Sequence, residues 1–368
     1  MRIIVSGGGT GGHIYPAITI ARAIKELEPQ AQFLYVGTKK GLEADIVPKE
    51  GMDFAAIDVA GLKRSLSPVN FFRLLRAARG VAEAKSIVQR FRPHLVIGTG
   101  GYVAGPVLLA ASLAHIPTLI QEQNVVPGVT NKILARFVKR IAVGMEGALN
   151  RFPKRKTVLT GNPIRNEVMT ASARDGYQCF GFSAEKPTVL VTGGSRGARA
   201  INRAMIGVLK LAAHHDDLQY LLSTGKAEYE DTKQRLEAAG VQLDQLRHIR
   251  VVPYLYDMPS ALAMADLVIS RAGATGIAEL TARGVPAILI PYPYAAENHQ
   301  EKNARALEKA GAARVILNKD LTAESLTALL IELMTEDTKL VKMRQASRAM
   351  GRPTAARDIA HLALSLVQ

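Results

Sequence analysis

Two apolar strands, each running into a glycine-rich turn and then a helix, constrain the fold of this chain most. RIIVS at residues 2–6 precedes GGGTGGH, and TVLVT at residues 188–192 precedes GGSRGA. Glycine lets the backbone approach a ligand closely, and a helix N-terminus presents N–H groups to anions. Each half of the chain therefore begins like a β-α-β unit that binds phosphate.

Apolar β-branched runs alternate with helical segments along nearly the whole chain, a pattern typical of parallel sheets covered on both faces. The sequence predicts an α/β protein with two doubly wound domains, residues 1–161 and 162–344, and a last helix at about 354–367. Predicted first-half strands are 2–6, 32–36, 94–98, 117–120 and 140–143; predicted helices are 14–28, 69–91 and 103–114.

The composition excludes several protein classes. The 368 residues are 48% apolar, enough for two cores, and the single cysteine, Cys179, excludes an internal disulfide and suits a reducing compartment. The start MRIIVSGGG lacks the features of a signal peptide. Residues 95–121 carry no charge if His115 is neutral, but glycines and prolines interrupt them, which predicts a buried α/β unit rather than a membrane span.

The positive charge is localised. Of the net +15, residues 1–161 carry +12, residues 162–340 carry −1 and residues 341–368 carry +4. A lopsided basic field indicates an anionic partner for one half of the molecule. Nucleic acid, acidic lipid and a large phosphorylated substrate remain open on this evidence.

The glycine turns predict binding of phosphate or sugar, with a purely structural turn as the alternative. Gly7, Gly9 and Gly12 satisfy GxGxxG, but the second strand ends in LYVGTKK, without the acidic residue of a nicotinamide site. The run TGK precedes Ala227, where a nucleoside-triphosphate loop needs Ser or Thr. A third turn, GTGGY, follows the strand HLVIG.

A further group of candidate ligand-binding residues follows the strand DLVIS in the second half of the chain. A helix that begins near Ala274 has an N-terminus suited to a diphosphate, and Glu279, one turn later, suits the two hydroxyls of a ribose. From spacing alone, Glu279 is equally well explained as a solvated helix residue.

Seven motifs together are specific: SGGGTGGHIYPA, GTGGYVAGP, EQNVVPGVTNK, TGNPIR, GGSRGA, SRAGATGIAEL and ENHQEKNA. In their order and spacing the chain resembles, over nearly its whole length, the bacterial peptidoglycan N-acetylglucosaminyltransferases (the MurG family, glycosyltransferase family 28). The resemblance implies the glycosyltransferase B fold, with two Rossmann-like domains facing a cleft. It also implies that a C-terminal helix of about 345–368 packs back on the N-terminal domain.

The implied activity is inverting transfer of N-acetylglucosamine from UDP-N-acetylglucosamine to the 4-hydroxyl of the muramoyl sugar of undecaprenyl-diphospho-muramoyl-pentapeptide. By resemblance, the diphosphate would be contacted by Ser195, Ala274, Thr275 and Arg165, the uracil by the Leu255 backbone, the ribose by Glu279, and the sugar by Gln300 and Asn124. Thr10, Gly11 and Gly12 would close the donor side, and His13, Tyr102 and Asn131 would surround the acceptor.

The chain departs from the family at three positions. Gln121 stands where the family commonly has His, so the sequence offers no proton carrier there. Gly276 stands where Thr is frequent, so one phosphate contact is missing, and His299 stands where Gln is frequent.

His13 is the first candidate for the base that takes the acceptor's proton, because imidazole has a suitable pKa. A capping or structural histidine is the alternative, and Glu122 is the second candidate base. The chain has no Asp-x-Asp motif to fix a metal on the diphosphate. We therefore expect no tightly bound cofactor and no protein metal site, with Mg²⁺ from solution as an optional aid.

Residues 62–92 contain eight Lys or Arg and one acid. They predict an interfacial helix for anionic lipid, and hence a peripheral protein at the cytoplasmic face of the membrane, with an ordinary core helix as the alternative. A diacylglycerol glycosyltransferase would differ mainly in the acceptor, and a UDP-N-acetylglucosamine epimerase lacks its carboxylate set here. With no Trp, 5% aromatic residues and no binding motif, we expect no nucleic-acid partner.

Overall fold

Strands that alternate with helices build two units, each with its own parallel sheet. The computed structural model describes residues 1–59 and 69–367, with the backbone alone for residues 69–77 and Asp337. Unit 1 comprises Met1–Ile164 with Thr354–Gln368, and unit 2 comprises Arg165–Pro353.

The described strands of unit 1 form one parallel sheet. They are β1 (Arg2–Gly7), β2 (Gln32–Gly37), β3 (Asp53–Ala56), β4 (Leu95–Gly100), β5 (Thr118–Glu122), β6 (Arg140–Val143) and β7 (Thr157–Leu159). Their order in the sheet is β3-β2-β1-β4-β5-β6-β7. The order reverses between β1 and β4, so the turns that follow these two strands lie where a doubly wound sheet binds its ligand.

The helices of unit 1 that precede unit 2 cover both faces of this sheet. They are α1 (Gly11–Leu27), α2 (Glu43–Lys49), α3 (Val69–Phe91), α4 (Ala104–Leu113) and α5 (Val129–Leu134), with 3₁₀ turns at Glu146–Arg151 and Lys154–Lys156. Ile14, Ile20 and Ile24 of α1 are fully buried in one core, and Val107 and Leu108 of α4 lie in another.

Unit 2 repeats the architecture with one sheet among its described residues. Its strands are β8 (Thr188–Thr192), β9 (Gln219–Ser223), β10 (Ile249–Val252), β11 (Leu267–Ser270), β12 (Ala287–Leu289) and β13 (Ala313–Val315). The sheet order is β10-β9-β8-β11-β12-β13, all parallel, and it reverses between β8 and β11. The turns after β8 and β11 therefore occupy the ligand-binding position of this unit.

The helices of unit 2 follow the same alternation. They are α6 (Asn166–Thr170), α7 (Ala173–Phe180), α8 (Arg199–Ala212), α9 (Tyr229–Ala238), α10 (Met258–Met264), α11 (Ala274–Arg283), α12 (His299–Lys309), α13 (Ala323–Thr335) and α14 (Asp337–Met350), with 3₁₀ turns at Leu243–Gln245 and Ala296–Asn298. Ile201, Met205 and Leu209 of α8 pack against the apolar strands of this sheet.

The last helix, α15 (Ala355–Leu364), returns to unit 1. Its buried residues Ile359, Ala360 and Ala363 share a core with Ile20 and Ile24 of α1. The structure divides the chain at Ile164 and Pro353 and keeps α14 in unit 2, whereas the predicted boundaries were 161 and about 344.

The structure confirms the α/β class and the strand-helix alternation. The uncharged stretch 95–121 folds as β4, α4 and β5, and no helix in the described part of the chain is long and apolar enough to cross a membrane. Cys179 is an exposed free thiol.

Candidate functional site

The glycine turn after β1 packs against the turn after β4, backbone on backbone. A side chain on Gly101 would collide with the Gly8 carbonyl, and one on Gly7 would collide with Thr99. Gly9 and Gly100 have φ of +85° and +105°, a region that favours glycine. The two turns are therefore glycine-rich because the strands bring them into van der Waals contact.

His13 lies in the first turn of α1, directly after this glycine turn. Its Nδ1 is 3.2 Å from the Gly8 carbonyl oxygen and 3.4 Å from Thr10 Oγ1. Because a carbonyl only accepts, the Gly8 contact requires a proton on Nδ1, so in the neutral ring the lone pair is on Nε2. A Cβ built on Gly100 would lie 3.2 Å from Nε2 and 3.5 Å from Asn131 Nδ2, so His13 and Asn131 border the same point.

Thr10, Gly12 and Tyr102 are exposed, and Gly11 is partly exposed. Tyr102 lies beside the turn, where a Cβ on Gly9 would approach its ring to 3.4 Å. Unit 1 thus brings its predicted residues Thr10, Gly11, Gly12, His13 and Tyr102 to one edge of the sheet.

Glu122 ends β5 as a buried carboxylate, 2% exposed. Its Oε1 accepts from Asn124 N at 3.0 Å and from Asn124 Nδ2 at 3.2 Å. Its Oε2 accepts from Gly128 N at 3.0 Å and from Asn131 Nδ2 at 2.9 Å. Four donors occupy the two carboxylate oxygens of Glu122. This geometry favours a structural role, in which Glu122 holds the 123–131 loop in place, over the role of second candidate base.

Unit 2 places its glycine turn at the carboxyl end of β8. Gly194 and Gly197 have φ of +84° and +74°, and a side chain on Gly197 would collide with the Thr224 carbonyl. Ser195 is exposed at the tip of this turn, just before α8. It therefore lies where a phosphate approaching the N-terminus of α8 would meet it.

The N-terminus of α11 follows β11, the neighbouring strand in the sheet. Gly273 is its extended N-cap, Ala274 is buried and Thr275 is partly exposed. Gly276 is exposed, and a Cβ built on it would meet nothing within 4 Å. A side chain at position 276 would therefore enter open space.

Arg165 and Glu279 form an ion pair within unit 2. Arg165 Nε and Nη2 lie 3.2 and 3.0 Å from Glu279 Oε1, so the second carboxylate oxygen is not used by Arg165. Burial raises the pKa of Glu279, and the Arg165 charge opposes that rise. Glu279 is thus a buried carboxylate of α11 and not a solvated helix residue.

Gln300 lies in the first turn of α12, after a strained turn. Its Oε1 accepts a 2.9 Å hydrogen bond from Tyr292 N, which fixes the side chain against the loop after β12. Glu297 and Asn298 before it have φ of +56° and +52°, which costs energy for residues other than glycine. The strained residues Glu297 and Asn298 thus directly precede the helix turn in which Gln300 is held.

Comparison with known proteins decides the family. Residues 3–143 match the glycosyltransferase family 28 N-terminal domain, and residues 188–361 match the family 28 C-terminal domain. The UDP-N-acetylglucosamine--N-acetylmuramyl-(pentapeptide) pyrophosphoryl-undecaprenol N-acetylglucosamine transferase of Desulfitobacterium hafniense (strain DSM 10664 / DCB-2) is 52% identical over 99% of both chains. The chain belongs to glycosyltransferase family 28.

Two further relatives agree with this assignment. The transferase of the same name from Listeria monocytogenes serovar 1/2a is 47% identical over 100% of both chains. The crystal structure of Acinetobacter baumannii MurG superposes with a TM-score of 0.79 at 29% identity, covering 99% of both chains. The chain is a two-domain glycosyltransferase with Rossmann-like sheets, as its motifs indicated.

The position that departs from the family at 121 is buried in this glycosyltransferase. Gln121 is 0% exposed, donates to Asn162 Oδ1 at 2.8 Å and accepts from Gln123 Nε2 at 2.6 Å. Asn162 in turn donates to the Gln123 carbonyl at 3.0 Å. The amide at position 121 therefore completes a buried hydrogen-bond network with Gln123 and Asn162.

Several polar residues of the site escaped sequence reasoning. Arg271 Nη1 donates to the carbonyls of Ile290 and Pro291 and to Asn318 Oδ1, which ties the loop after β12 to β11. Lys226 Nζ lies 5.7 and 5.8 Å from the ring centres of Tyr254 and Tyr256, the neighbours of the buried Leu255. The spacing of these residues along the chain gives no signal of such contacts.

The described residues contain no group of three or more His, Cys, Asp or Glu that could hold a metal ion. Of the predicted basic helix, residues 62–68 and the side chains of 69–77 lie outside the described residues, so its apolar face is not described. In its described part, Arg79 is exposed and lies 3.6 Å from Glu83, one turn along the helix.

Replacing Gly276 by Thr tests whether α11 faces the diphosphate. We expect up to about tenfold tighter UDP binding by calorimetry, since a hydrogen bond to a charged group contributes about 1.5 kcal/mol. Gly276→Val is the matched control, because it adds similar bulk without the hydroxyl. Equal affinities of the two variants would mean that position 276 does not contact the ligand.

Proposed function

We propose that this family 28 enzyme transfers N-acetylglucosamine from UDP-N-acetylglucosamine to the 4-hydroxyl of the muramoyl sugar of undecaprenyl-diphospho-muramoyl-pentapeptide, inverting the anomeric carbon. The observation that carries the proposal is the match, over 99% of both chains, to a relative whose name gives the UDP-N-acetylglucosamine donor, the N-acetylmuramyl-(pentapeptide) pyrophosphoryl-undecaprenol acceptor and the sugar that is transferred. The positions of the site motifs at the carboxyl ends of β1, β4, β8 and β11 support it.

In the proposed mechanism, His13 removes the proton from the attacking hydroxyl. The Nδ1 contact with Gly8 supports this role, because it leaves the lone pair on Nε2. Asn131 would orient the acceptor, since it borders the same point at Gly100. Glu122 would hold Asn124 and Asn131 in place rather than take the proton.

The donor would bind mainly to unit 2. The N-termini of α8 and α11, with Ser195, Ala274 and Thr275, would meet the charge that develops on the departing diphosphate. Arg165 would add a positive charge and hold Glu279 for the ribose. Gln300 and Asn124 would contact the sugar, Leu255 the uracil, and Thr10, Gly11 and Gly12 the donor from unit 1.

No cofactor is part of this proposal. The backbone N–H groups and Arg165 supply the charge stabilisation that a bound metal supplies elsewhere, and Mg²⁺ from solution is an optional aid. A titration of turnover against Mg²⁺ in the presence of a chelator tests this: activity that remains after chelation agrees with the proposal, and complete loss contradicts it.

A transfer assay with radiolabelled UDP-N-acetylglucosamine tests the acceptor. We expect label to move to the muramoyl lipid diphosphate and not to diacylglycerol, the acceptor of the alternative glycolipid synthase. Transfer to diacylglycerol alone would overturn the proposed acceptor while leaving the donor assignment intact.

We also propose that unit 1 docks on an anionic membrane at the cytoplasmic face. Val129, Ile133 and Phe137 are exposed apolar residues at intervals of four along α5 and the segment after it. Exposed basic residues alternate with them: Lys132, Arg136 and Lys139. An apolar strip flanked by cations suits the interface of an anionic bilayer, and it would bring the lipid-linked acceptor to the enzyme.

Ile133→Glu with Phe137→Glu should reduce co-sedimentation with vesicles that contain anionic lipid by at least about tenfold. The change removes apolar contact and adds two negative charges, and binding of the unmodified chain should fall with salt. Leu211→Glu in unit 2 is the control, because Leu211 is 55% exposed and lies outside the strip. Equal binding of all three proteins would contradict docking through α5.

A further inference from the structure

The structure contains a buried carboxylate behind the glycine turn of unit 1. Glu43, the first residue of α2, is 0% exposed. Its Oε1 accepts from Thr38 N at 3.1 Å and from Thr38 Oγ1 at 2.7 Å, and its Oε2 accepts from Gly9 N at 3.2 Å. Burying a carboxylate is costly unless donors satisfy it, and these donors are neutral groups aimed at its two oxygens.

Glycines make the space that the carboxylate occupies. A Cβ on Gly8 would lie 2.6 Å from Glu43 Oε1, and one on Gly37 would lie 2.5 Å from its Cγ. A Cβ on Gly41 would collide with the carboxylate itself. Three backbone segments thus lack side chains where they surround Glu43, which makes the contact with the glycine turn direct.

One peptide group joins this carboxylate to His13. The Gly9 N–H, which donates to Glu43, and the Gly8 carbonyl, which accepts from His13 Nδ1 at 3.2 Å, belong to the same planar amide. Hydrogen bonds in such a row polarise one another, so an anion on the N–H side makes the carbonyl a stronger acceptor. The negative charge of Glu43 is thereby transmitted to the imidazole without direct contact.

We propose that Glu43 is a positioning residue that, through the Gly8–Gly9 peptide, holds His13 with its proton on Nδ1 and makes Nε2 a stronger proton acceptor. This inference rests on the proposed function, in which His13 is the base. A carboxylate paired with the non-reacting nitrogen of a histidine fixes the tautomer in the same way when the two groups touch directly. Here a backbone amide lies between them.

Other titratable groups lie near His13 among the described residues. Tyr102 lies beside Gly9, Glu122 lies beyond Asn131, and β4 and α4 contribute no titratable side chain. Further titratable groups lie on α1 itself (Tyr15, Arg22, Lys25 and Glu26), on elements that contact it (Arg2, Asp45, Lys49, Arg357, Asp358 and His361) and in the loop before α2 (Lys39 and Lys40). Tyr35 of β2 donates to the Gly7 carbonyl. Among the described contacts, Glu43 is the carboxylate linked to the ring through a single amide.

The test is ¹⁵N NMR of histidine-labelled full-length protein, with the His13 signals assigned by their loss in His13→Gln. In the unmodified chain we expect the tautomer protonated on Nδ1. Glu43→Gln removes the charge at nearly constant volume, so the measured pKa of His13 should fall by about one unit and the tautomer should become mixed. The acid limb of the kcat pH profile should move by the same amount, with little change in the KM for the donor.

Tyr35→Phe is the matched control, because it removes a neutral donor from the adjacent Gly7 carbonyl, 2.6 Å away, and leaves the Gly8–Gly9 peptide untouched. We expect it to leave the His13 titration unchanged. An unchanged titration in Glu43→Gln would overturn the inference, and so would an Nε2-protonated tautomer in the unmodified chain, a result that needs no folded Glu43 variant. If His13→Ala retains turnover, the proposed function fails separately, whatever the NMR shows.

Discussion

Replacing His13 by Ala should lower kcat at least about 100-fold at saturating donor and acceptor. The reason is that a positioned base contributes about 10²–10⁴ to proton transfer, and His13 presents the nitrogen that carries the lone pair beside Gly100. UDP binding, measured by calorimetry, should change little, because the donor contacts assigned to unit 2 do not include this ring. Steady-state kinetics with both substrates varied gives the required kcat.

His214→Ala is the control for the loss of a histidine, since His214 is exposed in unit 2. It should keep the turnover of the unmodified chain. Near-normal kcat in His13→Ala would remove His13 from the role of base and would leave a capping function at the start of α1, where its ring contacts Thr10 and Gly8.

The second large effect is expected at the Arg165–Glu279 pair. Arg165→Ala should lower kcat/KM about 100-fold, because it removes a positive charge assigned to the departing diphosphate. It should also reduce the free energy of unfolding by about 1–2 kcal/mol, since it leaves the buried Glu279 without its cation. That figure is below the cost of a fully buried pair because the Arg165 side chain is 36% exposed.

The stability loss in Arg165→Ala should depend on pH. Burial raises the pKa of Glu279 in the folded protein, and removing Arg165 takes away the charge that opposes this rise. Glu279 then binds a proton more readily in the folded state than in the unfolded state. Its contribution to the free energy of unfolding is therefore most favourable below the unfolded pKa of about 4.3, and it is lost as the pH rises through the pKa of Glu279 in the folded protein. The difference in the free energy of unfolding between Arg165→Ala and the unmodified chain should therefore narrow as the pH falls from 7 towards about 4.3.

Chemical unfolding at several pH values measures this gap. The double variant Arg165→Ala, Glu279→Gln is the control, because a neutral amide at position 279 should remove the pH dependence. A gap that stays constant with pH would contradict the assignment of its cause to the Glu279 charge.

The core strands and the glycine turns could be predicted from the sequence because their signal is local. RIIVS and TVLVT are continuous apolar runs, and the structure gives Arg2–Gly7 and Thr188–Thr192. Edge strands escaped prediction: β3 is the short, half-buried DFAA, and β7 has only three residues. Short strands at a sheet edge have weak apolar patterns, so their pairing is set by tertiary contacts.

The residues of the candidate site likewise fall into those that local sequence predicts and those that only tertiary contacts bring together. The glycine turns and helix starts follow directly from local motifs, whereas Glu43 meets Gly9 across 34 positions and Arg271 meets Asn318 across 47. In the sequence, Glu43 has no feature that distinguishes it from other acidic helix residues. Its role is visible only in the fold, where α2 lies behind the glycine turn that follows β1. Polar contacts of this kind depend on the sheet order, which no spacing along the chain encodes.

The return of α15 to unit 1 has a consequence for biosynthesis. Unit 2 is one continuous segment, complete once Pro353 has been made, whereas the core that α1 shares with the sheet of unit 1 is completed only when Ile359 and Ala363 of α15 join it. The unit translated first is therefore completed last, and its core lacks the residues of α15 while unit 2 is synthesised. An incomplete core of this kind exposes apolar surface, which favours aggregation and chaperone binding of the nascent chain.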